Sequence, residues 1–164
     1  MKIRNLSLTV VIALAFSFVS YAQPYKTAIG VRLGFPNNVN FTLKHNLGAA
    51  WAIELNAGAG WRSAAIDFAG MYHFDIPKPS GMRWYLGAAA DVGFFYNRGT
   101  YHPVSGYKHG YFSTGVSIFG GLEYTFPNIP LNLAFDLGPR LPIVPWSVYP
   151  DYARVGLTAR YTFK

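Results

Sequence analysis

His102 and His109 flank Ser105, and Ser113 follows four residues later, so one short stretch holds the residue types of a nucleophile and its base. Such a pair works in acyl transfer when an acid orients the imidazole. Residues 97–110 contain no acid, and no nucleophile motif surrounds either serine. The two histidines stand apart with Pro103 and Gly106 between them, a spacing that matches no established metal site, so no metal is expected. The same stretch carries Arg98, Tyr101, His102, Tyr107, Lys108 and His109 without a carboxylate. Cations interleaved with aromatics suit anionic sugars or lipid head groups. A second set of chemical groups, Arg32, Glu54, Asp67, Arg83, Asp91, Glu123, Asp136, Arg154 and Arg160, is spread along the chain. Glu123 and Asp136 have the makings of an acid pair. What they can do depends on the elements that carry them.

Those elements alternate. From Tyr111 to Phe126, the residues Phe112, Val116, Ile118, Leu122, Tyr124 and Phe126 share one phase of a two-residue period. Ser113, Gly115, Ser117, Gly121, Glu123 and Thr125 take the other. After the turn Pro127-Asn128-Ile129-Pro130, Leu131, Leu133, Phe135 and Leu137 alternate with Asn132, Ala134, Asp136 and Gly138. Strict alternation of this length specifies β-strands with one apolar and one small or polar face. Eight such segments are expected: about 27–35, 39–45, 49–61, 63–74, 82–96, the two arms of the hairpin, and 154–163. Breaks lie at Pro36-Asn37-Asn38, Asn46-Leu47-Gly48 and Pro77 to Gly81, with long loops over 97–110 and 139–151. Glu123 and Asp136 are expected to oppose each other across the hairpin, with Arg154 and Arg160 as partners. His73, on the polar phase, is expected to be hydrogen-bonded inside.

Which phase faces inward follows from composition and from the strand ends. Charged residues are 13% of the chain, about half the usual share of ~25%, and aromatics are 18%. Trp51, Tyr72, Phe74, Trp84, Tyr124, Phe126, Tyr161 and Phe163 cluster at one set of strand ends, and Phe35, Trp61, Phe94, Tyr96 and Phe112 at the other. Ten residues separate Trp51 from Trp61 and Trp84 from Phe94. At ~3.3 Å per residue and a tilt of about 40°, that is roughly the 25 Å height of a lipid-facing barrel wall. The three connections on the side of the chain termini are short, and the two long loops fall on the other side. The apolar phase is therefore expected to face lipid, and the charged phase the lumen. The competing arrangement, a soluble barrel or sandwich, would leave a glycine-rich, charge-poor surface outside.

The N-terminus fits export. Lys2 and Arg4 precede an apolar run from Leu6 to Val19, and Ser20-Tyr21-Ala22 offers small residues before Gln23. Residues 1–22 are expected to be a signal peptide cleaved near Ala22, and 23–164 the mature domain. Removing Lys2 and Arg4 from 14 basic residues leaves 12 against 7 acidic ones, a mature net charge of +5. That balance suits anionic lipid or polysaccharide, and export argues against nucleic acid as a partner. No cysteine is present, so no disulfide contributes. No later stretch reaches the ~20 apolar residues of a spanning helix, so a membrane-inserted chain must be a closed barrel.

Trp84-Tyr85-Leu86-Gly87-Ala88, Gly121 to Pro127 and the final Arg160-Tyr161-Thr162-Phe163 resemble small outer-membrane β-barrel proteins of Gram-negative bacteria. The resemblance is to the OmpX/OmpA-like, porin-family eight-stranded class, and Gly30-Val31-Arg32-Leu33-Gly34 extends it over most of the mature chain. It implies Sec-dependent export, residence in the outer membrane, and insertion by the barrel-assembly machinery. That machinery reads an aromatic-ended last strand, here Tyr161 and Phe163, although Lys164 follows. Outer-membrane lipids and lipopolysaccharide are the implied surroundings, and an extracellular polysaccharide or host ligand a further partner.

The expectation is an all-β, eight-stranded, antiparallel, up-and-down transmembrane barrel. Eight strands enclose an interior just wide enough for side chains to fill, so the inward charges are expected to form a paired network. The function expected is structural or interactive at the cell surface, without catalysis and without a cofactor. A narrow porin-like channel is the alternative, and a lipid A-modifying enzyme of the kind some barrels of this size represent is a more distant one.

Overall fold

Each alternating segment is a strand because its apolar side chains need one common surface and its backbone groups need a neighbour on both sides. The computed structural model describes residues 25–35, 39–48, 50–59, 63–95, 111–144 and 153–163. The strands are β1 (Thr27–Phe35), β2 (Val39–Gly48), β3 (Trp51–Ala59), β4 (Ser63–Asp75), β5 (Met82–Phe95), β6 (Tyr111–Thr125), β7 (Leu131–Val144) and β8 (Ala153–Phe163). Every strand pairs antiparallel with its sequence neighbours, and β1 pairs with β8, for instance Val31 opposite Ala159, so the sheet closes into an eight-stranded barrel. Closure removes every open edge. The start of β1 and the end of β8 lie together at one end, called the termini end, with Thr27 opposite Phe163. β5 and β7 finish, and β6 and β8 begin, at the opposite end, called the loop end.

Two boundaries differ from the sequence expectation. Asn46, Leu47 and Gly48 continue β2 instead of turning, with Asn46 opposite Ala52 and Gly48 opposite Trp51 after a bulge. Gly48 takes the left-handed backbone conformation, φ 100°, that a tight return to β3 requires. Residues 139–144, expected to be loop, extend β7. Pro139 pairs with Ala153, and Pro142 faces Gly115 beside a bulge at Thr114/Gly115. Irregular pairing there accommodates residues that lack an N–H.

The polarity of the barrel is inside-out. Phe41, Leu55, Phe68, Leu86, Ile118, Leu141 and Leu157 point outward and are exposed, Ile118 at 68%. Arg32, Lys44, Glu54, Arg83, Glu123, Asp136, Arg140, Arg154 and Arg160 point inward and are buried. At the termini end the outward aromatics touch in series. Trp51 meets Tyr72 edge-on at 5.1 Å between centroids, Tyr72 meets Phe74 at 4.9 Å, and Phe74 stacks on Trp84 at 4.0 Å. Tyr124–Phe126 and Tyr161–Phe163 continue the ring at 4.7 and 5.0 Å. Toward the loop end, Phe94 and Phe112 lie opposite each other in register, and both are exposed. Trp61 and Tyr96 lie outside the described residues, as does the side chain of Phe35.

Candidate functional site

The chemistry-bearing residues of the described chain converge inside the barrel, because the even phase of β1, β2, β3, β7 and β8 and the odd phase of β4, β5 and β6 all face its axis. Toward the termini end, Glu123 of β6 accepts from Lys44 of β2 (Nζ–Oε2 2.5 Å) and from the guanidinium of Arg83 of β5. Lys44 Nζ also lies 2.9 Å from His73 Nε2, while His73 Nδ1 is 3.1 Å from the carbonyl oxygen of Ala50. A carbonyl needs a donor and an ammonium needs an acceptor, so the neutral ring protonated on Nδ1 satisfies both. Arg160 of β8 donates to Glu54 Oε2 of β3 at 2.5 Å and to Asn132 Oδ1 of β7 at 3.1 Å.

Nearer mid-height, Arg32 of β1 holds Asp136 of β7 with both terminal nitrogens, Nη2 to Oδ1 at 2.7 Å. Arg154 of β8 holds Asp67 of β4, Nη2 to Oδ1 at 3.2 Å, and lies 3.5 Å from Asp136. Asn56 Nδ2 ties Glu54 to Asp67 at 2.9 and 2.7 Å. At the loop end, Arg140 of β7 binds Asp91 of β5 in a fork, 2.8 and 2.5 Å. Asp67 and Asp91 face each other directly in the β4–β5 register, an arrangement that repels unless each carboxylate has its own cation. Arg154 and Arg140 supply them. Among the described residues each of the five inward carboxylates thus has an Arg or Lys partner.

Several of these reaches cross an intervening strand, and glycine makes the room. A Cβ on Gly156 of β8 would sit 2.0 Å from Arg32 Nη2, directly beneath the arm that joins β1 to β7. A Cβ on Gly115 of β6 would sit 2.6 Å from Arg140 Nη2. These inward glycines let a long side chain span three strands.

An apolar cluster also occupies the interior. Ala52, Ala69, Met71, Tyr85, Ala89 and Phe119 pack together, all buried. Phe119 lies opposite Gly87, whose absent side chain admits its ring, and the Arg154 guanidinium rests 4.4 Å from its centroid. Met71 and Phe119 are large apolar side chains on a phase that otherwise carries mostly small or polar residues. Their signal in the sequence is the small residues Gly87, Ala52 and Ala69 opposite or beside them.

Of the residues expected to face inward, Arg32, Glu54, Asp67, Arg83, Asp91, Glu123, Asp136, Arg154 and Arg160 are all brought into this interior. Their pairing corrects the expectation for the hairpin. Glu123 faces Ala134 and Asp136 faces Gly121, a two-residue offset that separates the two acids. Arg160 serves Glu54, and neither hairpin acid. Lys44 and Arg140 are central partners that belong with the set, and Tyr25, buried just before β1, has no place in the alternation that located the others. Tyr161 and Phe163 lie on the outer face of β8. The surface-loop residues Arg98, Tyr101, His102, Tyr107, Lys108 and His109, the proposed signal segment 1–22 and Lys164 lie outside the described residues. Among the described residues no group of three or more His, Cys, Asp or Glu could hold a metal ion.

No protein-family model matches the chain, and no curated protein sequence matches it. Among solved structures it is similar to the N-terminal β-barrel domain of Pseudomonas aeruginosa OprF. The TM-score is 0.62 at 16% sequence identity, over 87% of this chain and all of that one. At that identity the likeness is one of fold: a closed, eight-stranded, antiparallel, up-and-down barrel of the kind its sequence resembles.

Proposed function

We propose that this protein is an outer-membrane β-barrel whose interior is filled by an ion-paired network, with a structural or interactive role at the cell surface and no catalysis. One observation carries the reading: a continuous apolar exterior bounded by aromatics encloses a charged, buried interior. In water, an exterior presenting Phe41, Leu55, Phe68, Ile118 and Leu157 would far exceed the few hundred Å² of apolar patch usual for a soluble monomer. In a bilayer the same wall is matched to its solvent, and only a closed barrel or helices can satisfy the backbone there. Absence of catalysis is supported by the inward acids Glu54, Asp67, Asp91, Glu123 and Asp136, each committed to an Arg or Lys. The Met71–Tyr85–Phe119 packing favours a filled interior over a porin-like channel.

On this reading residues 1–22 direct Sec-dependent export, and Tyr161 and Phe163 present the last strand to the barrel-assembly machinery. Outer-membrane lipids and lipopolysaccharide surround the wall. The cationic, aromatic composition of 97–110 suits binding to a polysaccharide or host ligand. Gel mobility before and after boiling tests the proposal: a membrane barrel resists detergent and shifts on heating, and an unshifted soluble protein ends it. Planar-bilayer recording and lipid A mass analysis after overexpression separate the roles. Large, stable conductance steps would make it a channel, and an altered lipid A mass would make it an enzyme.

A further inference from the structure

Tyr25 precedes β1, yet only 3% of it is exposed. Three contacts seat the segment at the termini end. Asn46 Nδ2 donates to the Tyr25 carbonyl at 2.6 Å, the Asn46 N–H donates to the Lys26 carbonyl at 2.8 Å, and the Lys26 N–H donates to the Phe163 carbonyl at 3.0 Å. The backbone is thereby tied to both β2 and β8, the strands flanking β1. The ring completes a cage around a buried cation. Lys44 Nζ lies 5.9 Å from the Tyr25 centroid and 5.5 Å from that of Tyr85, with Glu123 and His73 on its remaining sides. The Arg83 guanidinium lies 6.0 Å from the same Tyr25 ring. Aromatic faces stabilise cations most when water is excluded. Among the described residues the buried phenol oxygen has no hydrogen-bond partner, and the ring makes the contact.

We propose that Tyr25 is a stopper: the segment entering β1 places its ring over the Lys44–Glu123–Arg83 cluster and controls access to the barrel interior from the termini end. The inference concerns the barrel alone and stands whether or not the wall faces lipid. Lys44 beneath this seat is 1% exposed, whereas Lys26 and Lys78 at the same end are exposed.

Amine acylation with an acetyl N-hydroxysuccinimide ester, read peptide by peptide in the folded full-length protein, tests it. Lys26 and Lys78 serve as internal references. Lys44 is expected to react at least about tenfold more slowly than they do, since reaction requires local opening. Tyr25→Phe should keep that protection, and Tyr25→Leu, Tyr25→Ser and Tyr25→Ala should lose it in the order of bulk removed. Should the smallest variant fail to show a heat-shifted band, the larger ones still decide. A flat series overturns the proposal, and so does a wild-type Lys44 that reacts as fast as Lys26.

Discussion

Arg32 on β1 reaches Asp136 on β7 by passing over Gly156, the residue of β8 that lies between them. The pair ties three strands across the seam where the first and last strands close the barrel. Gly156→Ala should therefore destabilise by about 1–3 kcal/mol, the usual cost of overpacking a filled site. In an Arg32→Ala background the same substitution should cost little, leaving a coupling of roughly 1 kcal/mol or more in a double-mutant cycle. Urea unfolding followed by the heat-shifted band measures both. Additive effects would show that the arm does not cross Gly156.

Glu123 is shared by Lys44 and Arg83, one cation on each carboxylate oxygen. Glu123→Ala removes the carboxylate that both buried cations share and is expected to cost about 3–5 kcal/mol. Asp75→Ala, at an exposed strand end, should stay within about 0.5 kcal/mol. Equal effects of the two substitutions would contradict the pairing.

Much of this interior is legible in the sequence, because a period of two assigns every residue of a strand to a face once one is known. Arg32, Glu54 and Asp67 are placed that way. The partners are not legible. Arg32 meets Asp136 only through the stagger at which β1 joins β8, and Glu123 misses Asp136 because the turn 126–130 sets a register two residues from the expected one. Tyr25 escapes because it precedes the alternation, and Pro139 and Pro142 conceal the end of β7 because proline ordinarily ends a strand.

Burial pushes the Tyr25 phenol up from its ordinary value near 10, and the charge of Glu123 adds to the shift. The folded state thus resists loss of this proton. Its contribution to stability is complete below pH ~10, and it is lost as pH rises beyond that, because the unfolded phenol ionises first. Between pH 8 and 11 the wild type should lose more stability than Tyr25→Phe, by about 1.4 kcal/mol for each unit above 10. Denaturant midpoints at the two pH values give the comparison, and equal losses would place Tyr25 in water.

Ile118 stands at the middle of β6, exposed on the outer wall. In a bilayer, Ile118→Arg should cost about 2–4 kcal/mol, as cations at mid-depth do on a barrel's lipid face. On a water-facing wall the same change would fall within about 0.5 kcal/mol. Folding into lipid vesicles, followed by urea titration, distinguishes these values.

The most direct test of an apolar wall turned toward lipid uses a single tryptophan at Ile118, with Trp51, Trp61, Trp84 and Trp146 replaced by Phe. The protein is folded into vesicles whose acyl chains carry bromine at different depths. The fluorescence should be quenched most by bromine nearest the bilayer centre and little by iodide in the buffer. Quenching by iodide with none by brominated chains would show that this wall faces water, and the outer-membrane account would fall.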